Sequence, residues 1–158
     1  IPLVGSSALL LAILHARDAN TADAEQCLTV ARRLAAVLSA DRNHHDTEFG
    51  PTNVAMHAVG VAVELGNGQQ ALDRAAHVRH PEQLSPERQA RYLVDLARAH
   101  LLTRSGRGAL LALIKAEQIA AEELAESPRV AELIDDIEAL HRRPRLSGLR
   151  ELRQRLYG

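Results

Sequence analysis

The sequence predicts an all-α protein, built as a set of antiparallel helical hairpins. Three observations carry that prediction. Aromatic residues make up only 2% of a chain that is 46% hydrophobic, so its core must be built from Leu, Ala, Val and Ile, a set better suited to closely packed helices than to aromatic-rich sheets. Along most of the chain apolar residues recur at intervals of three and four, the period of a helix buried on one face. Between those stretches lie short segments of Gly, Pro, Ser, Asn and Asp, which mark turns.

Taken in order, the first helix is carried by PLVGSSALLLAIL, with Ser6 or Ser7 placed to cap it, and runs to about Arg17. The polar stretch DANTADAE then supplies a turn in which Thr21 caps the second helix. Its apolar face is Cys27, Leu28, Ala31, Leu34, Ala35 and Leu38, and it ends near Ser39. The longest polar connection, DRNHHDTEFG, leads to Pro51, which the first turn of a helix tolerates after the break at Gly50. The helix that follows is apolar on most sides: Val54, Ala58, Val61, Ala62 and Leu65 form one stripe, Ala55, Val59 and Val63 another. Such a helix belongs at the centre of the packing. Gly66, Asn67 and Gly68 turn the chain into a short helix over 69–78, broken before Pro81. Ser85 and Pro86 open the next as cap and first residue, with Leu93, Leu96, Ala97 and Leu101 inward. After a turn at 105–108, Ala109, Leu110, Leu113, Ala116, Ile119 and Ala120 line the returning helix. Ser127 caps a helix carrying Val130, Leu133, Ile134, Ile137 and Leu140, and Ser147 caps a last one reaching about Leu156. The expected organisation is a single domain over 1–158, with hairpins at about 6–39, 51–78 and 86–125 and closing helices at about 128–142 and 148–157.

Bulk properties exclude several classes. A chain of 158 residues can bury a sizeable core, and 25% charged residues alongside 46% hydrophobic ones is a globular composition. The net charge of −1 gives no overall attraction to nucleic acid or to acidic membranes. No apolar run reaches the roughly 20 residues of a membrane-spanning helix. The opening residues lack the basic start and cleavage site of a signal peptide. A single cysteine, Cys27, precludes an internal disulfide and fits a reducing cytoplasm.

An internal repeat emerges when the hairpins are overlaid. Aligning Ala24, Ala71 and Ala109 also aligns Leu28, Ala75 and Leu113, then Ala31, Val78 and Ala116, and on the preceding helices Ala12, Val59 and Ala97. Small residues recur where paired helices approach closely. Offsets of 47 and 38 residues resemble a degenerate tetratricopeptide (TPR) pattern, whose period is about 34. The expected fold is therefore a TPR-like right-handed array of about seven or eight helices, whose terminal helices act as caps.

Three stretches, DRNHHDTEFGPTNVAMHAVGVAVELGNGQQAL, SPERQARYLVDLARAHLLTRSGRGALLALIKAEQIA and ESPRVAELIDDI with a closing SGLRELRQRL, resemble the C-terminal half of actinobacterial XRE-family helix-turn-helix transcriptional regulators. The words TEFGPTNVA and VAVELG are the most specific. The resemblance implies a region that senses a peptide or small-molecule effector or dimerises, coupled to a DNA-binding domain. No stretch here reads as that domain. The chain begins with Ile1 rather than methionine, so it is expected to be part of a longer protein that contacts DNA only through an N-terminal segment. Family likeness and the small end helices point to a homodimer.

On a helical-repeat surface the first helix of each hairpin lines the concave face and carries recognition. That register assigns Asn53, Met56, His57 and Glu64 to the face in the second hairpin, and Arg91, Asp95 and Arg98 in the third. Asn, His and two Arg, with Met56 as an adaptable apolar contact, suit a peptide carboxylate or a small anionic metabolite. Asp95 between Arg91 and Arg98 is equally an ordinary intrahelical ion-pair set. A constitutive protein-interaction scaffold without a small effector is the alternative.

Enzymatic motifs are absent. GxSxG, the phosphate-cradling GxxxxGK[ST] and a GxGxxG after a strand do not occur, and the glycines at 66–68 and 106–108 are turns. Neither catalytic residues nor a cofactor are expected. His44, His45, Asp46 and Glu48 could supply metal-binding groups, but adjacent histidines diverge, and solvated loop polarity is the preferred reading. His77, His80 and His141 fall near helix ends, where they can cap carbonyls, and Cys27 reads as a small core hydrophobe. The six arginines between 142 and 155 follow an acidic helix, so mutual pairing or solvation is preferred to nucleic-acid binding.

Overall fold

The structure is a computed structural model describing residues 1–38 and 48–158. It holds eight α-helices and no strand among the described residues: α1 (Pro2–Arg17), α2 (Thr21–Leu38), α3 (Pro51–Glu64), α4 (Gly68–Ala75), α5 (Pro86–Leu102), α6 (Gly106–Glu126), α7 (Pro128–Leu140) and α8 (Leu149–Tyr157). None of these helices is long and apolar enough to cross a membrane. The chain falls into two compact units, Ile1–Leu84 and Ser85–Gly158.

Three hairpin turns share one construction. The residue after the C-cap takes a left-handed conformation, at Ala19 (φ 57°), Gly66 (φ 75°) and Arg104 (φ 61°). The next N–H reaches back five residues, from Asn20 to His15 O (2.8 Å), from Asn67 to Ala62 O (2.9 Å) and from Ser105 to His100 O (2.7 Å). This closes the carbonyl end of each first helix in a Schellman motif. The same three residues then cap the second helix, accepting from the backbone N–H of Asp23, Gln70 and Gly108. One residue thus ends one helix and begins the next. Turn positions 19, 66 and 104 repeat the 47- and 38-residue offsets that align the small residues. The aligned Ala24, Ala71 and Ala109 are fully buried, as are Ala12, Val59 and Ala97.

In the first unit α3 touches α1, α2 and α4, so the helix with the most apolar sequence is central. Its core joins Ala8, Leu9, Ala12 and Ala16 of α1, Ala24, Leu28, Ala31 and Ala35 of α2, and Val54, Ala58 and Val61 of α3. Phe49 closes this core, fully buried. Its ring lies against the α1 backbone at Gly5, where an added Cβ would collide with it. Arg74 on α4 is a polar tie: its guanidinium donates to Ala58 O (2.9 Å) and to Glu25 Oε1 on α2 (2.6 Å). Thr52 Oγ1 donates to Arg79 O at 2.8 Å, and Arg17 Nε lies 3.6 Å from Glu64, joining the C-terminal ends of α1 and α3.

In the second unit α6 is central, touching α5, α7 and α8. Ala109, Leu110, Leu113 and Ala116 meet Leu93 and Ala97 of α5, Val130, Ile134 and Ile137 of α7, and Leu149 and Leu152 of α8. Non-helical backbone at Ala120 kinks α6. Two histidine rings lie on its glycines, His141 against Gly106 and His100 against Gly108, where a Cβ would displace either ring.

Several boundaries differ from the sequence reading. α1 starts at Pro2, and Ser7 lies inside it with its hydroxyl donating to Leu3 O, because proline in the first turn needs no side-chain cap. Asn20 rather than Thr21 caps α2. α4 stops at Ala75, and a 3₁₀ turn follows at Pro81–Gln83. Consequently Ala75 and Val78 are only half-buried, and the repeat register weakens there. Ser85 does cap α5. Ser127 precedes α7 without a side-chain cap bond, and α8 begins after Gly148, at φ 92°, rather than at a Ser147 cap.

Candidate functional site

The polar groups assigned to recognition occupy two helices, one in each unit. On α3, Asn53 and Met56 are buried, at 2% and 4% exposure, and His57 is half-buried. A helix apolar on most sides draws its few polar residues inward with it. His57 Nδ1 lies 3.0 Å from Asn53 O, one turn back. Glu64, at the end of the same helix, faces Arg17.

On α5 the spacing of three residues brings Asp95 and Arg98 together as expected. Arg98 Nη1 donates to Asp95 Oδ1 at 3.2 Å, with side chains 17% and 21% exposed, and Arg91 one turn earlier is exposed. A partly desolvated Asp–Arg pair is oriented more firmly than an exposed one. An arginine guanidinium presents its N–H groups in a fixed planar fork, the geometry that carboxylates and phosphates accept. Tyr92 is half-buried, and burial raises its phenol above the ordinary range. His100, near the end of the helix, is held below the ordinary histidine range by burial.

Remaining candidates separate cleanly. His77 Nδ1 meets Asp73 O at 2.9 Å, the carbonyl contact expected near a helix end. His80 does not do this: it adopts a left-handed conformation and pairs with Glu82 at 3.2 Å. His141 stands at the C-cap position of α7 through its backbone N–H to Ile137 O, while its ring Nε2 is buried and unbonded beside Gly106. Cys27 packs against the core of the first unit. His44, His45 and Asp46 lie outside the described residues, and among those described no three groups come together as metal ligands. Of the tail arginines, Arg153 pairs with Asp135 (2.6 Å) and Glu138 (3.0 Å), and Arg155 with Glu117 (2.7 Å). Those carboxylates raise the pKa of both guanidinium groups, so at least these two serve pairing between helices.

Sequence reasoning missed Arg74 and Phe49, whose roles depend on partners far away in the chain. The only local signal was a lone arginine on a short helix and a lone phenylalanine beside Gly50. Comparison with family models, curated proteins and solved structures finds no match.

Proposed function

We propose that this chain is the sensory and oligomerisation part of a cytoplasmic transcription regulator of the XRE type, a TPR-like domain that binds a peptide or small-molecule effector and pairs with a second copy. The observation that supports this most directly is the threefold recurrence of one Schellman-plus-cap turn in the register that also aligns the buried small residues. Proteins built from such repeated hairpins use side chains on the first helix of each hairpin for recognition. In the first unit taken by itself that is the half-buried His57 on α3, with Asn53 and Met56 buried beside it, and in the second unit taken by itself Arg91 and the Asp95–Arg98 pair on α5. The arginines set the ligand class, since their planar donors suit a carboxylate or another small anion. Binding that favours one packing of the helices shifts the population of states and would alter the spacing of two attached DNA-binding domains.

Thermal unfolding of the chain in the presence of fractionated cell extract tests the reading. A low-molecular-weight fraction should raise Tm, because ligand binding to the folded state alone stabilises it. Replacing Arg98 or His57 by alanine should abolish the shift. A response only to the macromolecular fraction would favour a constitutive protein-interaction scaffold. No response to any fraction would remove support for both.

A further inference from the structure

Helix α1 is apolar on two opposite sides, and only one of them is covered. Gly5, Ala8, Leu9, Ala12 and Ala16 are buried in the first unit. On the other side Leu3, Val4, Leu10, Leu11 and Leu14 remain 44 to 67% exposed. Positions 3, 7, 10 and 14, with 4 and 11 beside them, form a continuous stripe at the 3–4 spacing of a helix-packing seam. The one polar member, Ser7, has its hydroxyl bonded to Leu3 O at 2.9 Å.

The internal register bears on part of this surface. Ser7, Leu11 and Leu14 correspond, at the 47-residue offset, to Val54, Ala58 and Val61 of α3. Those three residues pack in the same core as α1 and α2. Positions 7, 11 and 14 of the stripe thus match positions that α3 buries against neighbouring helices, while Leu10 matches the half-buried His57.

We infer that a second copy of this chain covers the stripe, α1 against α1, in a two-fold dimer. It contains no Asp, Glu, Lys or Arg from Pro2 to Leu14, so two copies meet without like-charge repulsion, and nothing on it would steer a charged partner. Its five large side chains expose roughly 500 Å² of apolar surface, at the upper end of what a monomer leaves in its largest patch. That matches the apolar share, about 65%, of the roughly 800 Å² that each partner of a stable homodimer buries. A two-fold axis lets one self-complementary stripe serve both sides.

This inference rests on the pairing of copies proposed above and not on the effector. Sedimentation velocity of the chain from 1 to 100 μM decides it (concentrations on the order of those at which dimers of this size form). The wild type should be dimeric, and Leu10→Glu with Leu14→Glu should weaken association at least 100-fold while the helical circular dichroism signal is unchanged. Leu111→Glu, at an equally exposed leucine on α6, should leave the dimer intact. Mixing the Leu10→Glu and Leu10→Lys variants should restore association. A monomeric wild type overturns the pairing altogether, a dimer indifferent to the α1 changes overturns this face alone, and neither outcome alters the thermal-shift test of the effector. Co-sedimentation of the monomer with phosphatidylglycerol vesicles, lost in the double variant, would overturn it in favour of a lipid surface.

Discussion

Gly5 and Phe49 form a pair whose joint behaviour tests how the first unit is closed. Phe49 is fully buried in the core shared by α1, α2 and α3. Truncating such a ring to alanine costs about 3–5 kcal/mol through lost transfer energy and the cavity left behind. Gly5→Ala sets two effects against each other. Alanine gains about 1 kcal/mol over glycine within a helix, but its methyl would fall among the Cζ, Cε1 and Cε2 atoms of the Phe49 ring. Overpacking of this kind costs about 1–3 kcal/mol, and a fully buried ring has little room to yield. Gly5→Ala alone should therefore destabilise by about 1 kcal/mol. In a Phe49→Ala background the obstacle is gone, and the same change should stabilise by up to about 1 kcal/mol. The sign reversal amounts to a coupling of about 2 kcal/mol, as expected of residues in direct contact. Urea unfolding of the four proteins by circular dichroism measures it, and hydrogen exchange of the α1 amides assigns it to the first unit. If Gly5→Ala raises stability equally in both backgrounds, the ring does not rest on α1 and the reasoning fails.

The hairpin turns make an opposite prediction for alanine and glycine. Ala19→Gly and Arg104→Gly should each stabilise by about 0.5–1 kcal/mol, since a left-handed non-glycine residue carries a penalty that exceeds the entropic cost of glycine; Gly66→Ala should destabilise, and urea midpoints measure all three. Arg74→Met should cost about 1–3 kcal/mol, because it removes the charge-assisted bond to Glu25 and strips Ala58 O of a donor. Arg74→Lys should recover only part of that loss, lacking the planar fork. His100 predicts a pH dependence. Its folded pKa is depressed by burial, so the unfolded chain binds the proton more readily. Stability is then full above the unfolded value of about 6.5 and falls as pH drops from there through the lower folded value. His100→Gln should flatten the profile of Tm against pH below about 6.5.

What the residues themselves dictated is local. Proline at positions 51, 86 and 128 opens helices because a first turn has no use for its missing N–H, and each lies where a helix begins. Asn67 and Ser105 end one helix and start another through bonds to groups within five residues, so the second and third turns were readable. The burial of α3 followed from its lack of polar interruptions. On α5 the Asp95–Arg98 pair met as its spacing required.

Everything that needed a distant partner was decided by tertiary structure. Phe49 gave no sign that it would close a core, since its contact at Gly5 lies 44 positions earlier. Arg74 reads as a surface residue until Glu25 and Ala58 O are brought to it. Ser6 and Ser7 resemble caps by type, yet Pro2 had already opened the helix. The sequence of α1 shows apolar residues on all sides, and periodicity cannot tell which of them neighbours will cover. That depends on where the other helices stand, a property of packing rather than of any stretch of chain.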